Sequence, residues 1–217
     1  MAKLSKDNIQ FIENYLENSE VFYADIRMEM TDHVASAIEK RMADNPTFHF
    51  YDVFKDYMIE QKTNLLENNK QFLRNSDKTI LKELVYYSFK PSTFLVFCII
   101  FLGFYQLVQI IDVDSISKIV AFFPILSVVP FVIIYIIALQ VFKLSRFSGI
   151  ERMGFVYIMS FQVFNLISIL LKGYVNEQIN FLVLTLYFSL TITLSLILIR
   201  LSISVINYYR KHYKFLV

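Results

Sequence analysis

The stretch Ile179-Asn-Phe-Leu-Val-Leu-Thr-Leu-Tyr-Phe-Ser-Leu-Thr-Ile-Thr-Leu-Ser-Leu-Ile-Leu-Ile199 carries no charge until Arg200 closes it. As a helix rising ~1.5 Å per residue it reaches ~31 Å, the thickness of bilayer hydrocarbon. Its small polar residues fall into lines. Thr185, Ser189 and Thr193 recur every four positions, and Arg200, Ser204 and Asn207 continue the same stripe. Thr191, Ser195 and Ser202 form a second, weaker line. A polar stripe on a membrane helix is expected to turn toward other helices or a wet cavity, away from lipid.

Three more apolar runs precede it, at about 91–111, 119–142 and 153–171, so the expectation is four spans with the last at about 179–199. Pro91 suits a helix start. Pro124 and Pro130 each remove a backbone hydrogen bond from the second span, which predicts a bend there. Asp112 to Lys118 reads as a short polar loop. The chain has 217 residues, 56% of them apolar, and a mean hydropathy of +0.48, too greasy for an ordinary soluble domain. Residues 1–90 carry a net charge of −3 and residues 91–217 one of +5, so a soluble head precedes the membrane part.

Lys/Arg placement sets the orientation. Lys78, Lys82, Lys90, Lys143, Arg146, Arg152, Arg200, Arg210, Lys211 and Lys214 flank one side, while Lys118 and Lys172 are alone on the other. Both termini are therefore expected in the cytoplasm. Tyr86, Tyr87, Tyr208, Tyr209 and Tyr213 would form an aromatic belt at the inner surface. The first thirty residues are charged throughout and predict no secretory leader.

The head, residues 1–88, reads as all-helical, and nothing in it alternates with period two. Ser5 precedes a first helix carrying Ile9, Ile12 and Leu16. Ser19 is placed to cap a second, from Glu20 to Met42, with Phe22, Ile26, Met30, Val34, Ile38 and Met42 at an unbroken step of four. Its other face carries Asp25, Glu29, Asp32, Ser36 and Glu39. Asn45-Pro46 ends that helix. A third runs to about Asn69, and Asn75-Ser76-Asp77 reads as a break before a short helix entering the membrane. A domain this small is expected to lean on the membrane, a second copy or a partner.

Chemistry-bearing motifs are scarce. Glu29, Asp32 and His33 have spacing that could hold a metal, but a structural histidine at the edge of the apolar stripe is the simpler reading. No Gly-x-Ser-x-Gly, phosphate loop or His-Glu-x-x-His occurs, and His33, His49 and His212 all lie outside the spans. Cys98 is the only cysteine, so intramolecular disulfides are excluded. No enzyme activity, metal, cofactor or nucleic-acid partner is expected. At membrane depth, Gln106 and Gln109 on the first span and Gln162 and Asn165 on the third need hydrogen-bond partners. Gln106, Gln162 and Asn165 are expected to face the Thr185–Ser189–Thr193 stripe, with Arg200 at its end, forming one intramembrane polar cluster. No span holds an Asp, Glu, Lys or His in its middle, which argues against a pump.

The run Tyr23-Ala-Asp-Ile-Arg-Met-Glu-Met-Thr-Asp-His33, then Ile38-Glu39, resembles the signature helix of HAAS-type domains. Those are N-terminal helical modules of bacterial membrane proteins, often encoded beside PadR-like transcription regulators. Arg27, Glu29, Asp32 and His33 hold the matching positions, although Asp32 and His33 are closer than in that pattern. Ser19-Glu20 stands where a Leu-Pro element is usual. The resemblance covers roughly residues 5–70 and implies a cytoplasmic regulatory or interaction module on a membrane anchor. The leading expectation is a bacterial inner-membrane regulatory or scaffold protein, lipid-embedded and able to form a homo-oligomer. Asp25, Glu29, Asp32, His33 and Glu39 are its candidate partner-binding face. The competing readings are a small channel or transporter subunit with a polar path along the fourth span, and a membrane-permeabilising effector.

Overall fold

A computed structural model describes residues 3–45, 47–143, 145–175 and 181–213. Among them the chain forms α-helices only: α1 Lys6–Asn18, α2 Ala24–Asp44, α3 Phe50–Ser88, α4 Pro91–Ile110, α5 Val113–Val141, α6 Ser148–Val175 and α7 Phe181–His212. Four of them, α4, α5, α6 and α7, are long and apolar enough to cross a bilayer. The all-α membrane architecture read from the sequence is the one observed. The chain divides into two compact units, residues 1–77 with 145–148, and residues 78–144 with 149–217.

In the first unit, Ser5 accepts the Asn8 N–H and starts α1. Glu20 ends it in the left-handed region (φ 70°), and the Val21 N–H returns to the Leu16 carbonyl. That geometry favours glycine, and a chain with four glycines fills it with glutamate. The core takes Ile12 and Leu16 from α1, Ile26, Met30, Val34 and Ile38 from α2, and Phe54, Met58 and Leu65 from α3. The step of four in α2 is thus its buried stripe. Phe22 departs from it: α2 begins at Ala24, Ser19 is the C-cap of α1, and the Phe22 ring is 54% exposed. Phe11 meets Phe50 and Phe54 edge-on at 5.9 and 5.2 Å, the geometry aromatic pairs prefer. Asn75-Ser76-Asp77 does not break the helix. α3 is continuous from 50 to 88, because these residues disfavour a helix interior only mildly and none is a proline.

The second unit is organised around α7, which lies against both α4 and α5. Phe188 of α7 meets Phe104 of α4 at 5.5 Å and Phe123 of α5 at 4.6 Å. Lower on α7, Leu198 and Leu201 pack with Met153 and Tyr157 of α6 and with Ile80 of α3. The Gly149 N–H donates to the Tyr209 hydroxyl at 3.0 Å, a contact a side chain at 149 would block. The expected loop at 112–118 is shorter than read. Asp112 caps α5 by accepting the Ser115 N–H at 2.9 Å, which holds its carboxyl below the usual range, and Val113 is already helical. Pro124 and Pro130 both lie within a continuous α5. The fourth span's expected first residues, 179 and 180, fall outside the described residues; α7 continues to His212, well past Arg200.

Candidate functional site

The first unit contains a piece of chain from far along the sequence. Residues 145–148, between α5 and α6, belong to it. Contacts to α2, to the residue before it and to α3 hold them, the last between the Ser76 and Ser148 hydroxyls at 3.4 Å. The Ala24 N–H, an orphan donor in the first turn of α2, gives its proton to the Arg146 carbonyl at 2.8 Å. Asp25, 9% exposed, accepts from Ser148 twice, from the N–H at 3.0 Å on Oδ1 and from the hydroxyl at 2.5 Å on Oδ2. The Arg146 guanidinium lies 5.7 Å over the Tyr23 ring. Ser148 is the first residue of α6, so Asp25 supplies the acceptor and the negative charge that a helix N-terminus favours. The cap comes from 123 residues away in sequence.

Residues 1–77 and 145–148 share one unit, so where α4 and α5 both cross a bilayer the two stretches lie on one side of it. An even number of crossings must separate them, and α4 and α5 supply two.

The five residues expected to form a partner-binding face part company. Asp25 is buried in the clamp. Glu29, Asp32 and His33 are exposed on α2, and the Glu39 carboxylate accepts the Leu4 N–H at 2.9 Å. Arg27 ties α2 to α1 through Glu17 at 3.1 Å and Glu13 at 3.5 Å. Among the described residues, no group of three or more His, Cys, Asp or Glu side chains is placed to hold a metal.

The intramembrane polar cluster is also only partly assembled. Thr185, Ser189 and Thr193 are buried, but Gln106, Gln162 and Arg200 are exposed and Asn165 is half-buried. The Gln106 and Gln162 carboxamides therefore do not turn into the buried stripe. Thr185 and Ser189 need no amide, because they donate to the carbonyls four residues earlier, Phe181 and Thr185, as membrane-helix hydroxyls can. Thr193 Oγ1 is the exception, buried without a hydrogen-bond partner. Arg200 places its guanidinium 4.7 Å over the Tyr87 ring instead of in the bundle.

Sequence reading passed over a second feature of the head, a cleft between α2 and α3. It encloses about 580 Å³ and is lined by Gln61, Asn64, Asn68, Gln71 and Asn75 from α3, with His33 on the α2 wall. The signal was present, since those five carboxamides alternate at spacings of three and four and share one helix face.

A scan of protein-family models, a search of curated proteins and a search of solved structures each found no match to this chain.

Proposed function

We propose that the protein is a regulatory or scaffold protein of the bacterial inner membrane whose cytoplasmic helical head, HAAS-like in its Tyr23–His33 run, binds a protein partner. The supporting observation is the clamp on residues 145–148. A partner that remodels the first turn of α2 acts on Ala24 and Asp25, and through them on the residue that starts α6. The docking face is the exposed part of α2 around Glu29 and Asp32. Both termini are cytoplasmic in this reading, on the ten-to-two bias of Lys/Arg.

The test is affinity capture with the full-length protein in detergent, comparing wild type with Glu29→Lys/Asp32→Lys. A specific protein captured by wild type and reduced ~10-fold by charge reversal is expected, about 1.4 kcal/mol. Capture of nothing beyond an unrelated membrane-protein control, or equal capture by both forms, would overturn the reading.

Self-association through the spans belongs to the same proposal. The Gln162 carboxamide lies midway along α6 and is exposed, where lipid offers it no partner. A second copy offers a matching carboxamide, since each carries donors and an acceptor. Gln162→Leu is expected to weaken dimerisation in lipid by ~3- to 10-fold, on the ~0.6–1.4 kcal/mol typical of such bonds. Single-molecule photobleaching in liposomes reads this directly, and an unchanged dimer fraction would remove the amide from the interface.

A further inference from the structure

We infer that the α2–α3 cleft binds an extended, uncharged peptide segment of the partner through its main chain. This rests on the reading of the head as a partner-binding module and specifies the partner's chemistry.

Four observations carry it. First, Gln61, Asn64, Asn68, Gln71 and Asn75 form one line along α3, and fourteen residues of helix put its ends ~21 Å apart. An extended chain covers that length with about six residues. A compact ligand such as a nucleobase or a single sugar would reach only two or three of the five. Second, a carboxamide presents the same donor and acceptor pair as a peptide group, so it can bond both the N–H and the C=O of an extended strand. Asn68, Gln71 and His33 make no hydrogen bond within the described residues, which leaves their donors and acceptors open. Third, no lining residue is Asp, Glu, Lys or Arg, so a charged ligand would find no counter-charge there. Fourth, Met30, Ala37, Leu65 and Phe72 supply apolar surface between the amides and can receive alternate side chains of the strand. The volume lies within the ordinary range of ligand sites.

The probe is a fluorescein-labelled peptide, Ala-Val-Ala-Val-Ala-Val followed by two lysines, titrated by anisotropy against the full-length protein in detergent. Two controls accompany it: the same peptide N-methylated at alternate residues, and the variant Asn68→Leu/Gln71→Leu, whose substitutions lie on an exposed helix face and keep good helix formers. The expected result is saturable binding with Kd below ~1 mM, weakened at least ~10-fold by either change. No saturation, equal binding of the N-methylated peptide, or an unaffected double variant of wild-type helicity would overturn the inference. So would displacement of the probe by adenosine or glucose at similar concentration. If capture of the protein partner persists while the peptide does not bind, the peptide-binding mode fails and the partner-binding proposal stands. Failure of both removes the partner-binding reading itself.

Discussion

Asp25→Ala should release residues 145–148 and expose the chain to trypsin after Lys143 and Arg146. The carboxylate takes two hydrogen bonds from Ser148, and its loss removes the charged acceptor of a helix-initiating N–H and of a hydroxyl in a buried site. Bonds to a charged acceptor are worth ~1.5–3 kcal/mol each, and a lost N-cap costs ~1 kcal/mol. These overlap, so a net ~2–4 kcal/mol is expected, or roughly 30- to 700-fold in the open-to-closed ratio of the clamp. Asp25→Asn keeps an acceptor oxygen and should fall between wild type and alanine. The readout is the rate of tryptic nicking in the 143–146 segment under native conditions. Equal rates for Asp25→Ala and wild type would mean that Asp25 does not hold the segment.

The second large effect lies in the head core. Ile38 is completely buried, between the α1 and α3 contributions to one apolar cluster. Ile38→Ala removes three carbons from a packed site, which costs ~2–5 kcal/mol depending on how far the neighbours collapse. A small domain commonly has only ~5 kcal/mol in hand. The variant should therefore lose much of the head's protease resistance while the spans remain inserted. Ile59→Ala, at a position 73% exposed, serves as the control and should change little. Wild-type resistance in the Ile38 variant would show that the α2 stripe is not the core of the head.

These two residues mark what the sequence made legible and what it hid. Ile38 was readable because a step of four over six positions can bury its side chains only on a helix. The spans were readable for a similar reason, since some twenty apolar residues without a central charge have few other uses. Asp25 was misread as part of a solvated docking face. Its local pattern is indistinguishable from that of Glu29 or Asp32, and its partner Ser148 is 123 positions away. The outward direction of Gln106 and Gln162 was hidden for a different reason. Spans apolar on nearly every side give no periodicity from which to choose the face that packs. Asn75-Ser76-Asp77 imitates a cap, yet capping residues stop a helix only where the chain has another geometry to enter. The line of carboxamides on α3 was legible and went unread, because amides at coiled-coil spacing resemble an ordinary polar face until α2 closes a wall beside them.

The link between the second and third apolar helices is built into the N-terminal helical unit. Amide hydrogen exchange of the wild-type protein in nanodiscs tests it most directly, at the N–H groups of Ala24 and Ser148. Both donate to acceptors across the clamp, to the Arg146 carbonyl and to Asp25. The expected result is slowing of both by ~100-fold or more against an unstructured chain, as for amides released only by local opening. Exchange of both at the unprotected rate, with the α2 interior still protected, would show that the head and the 145–148 segment are separate and would contradict the account.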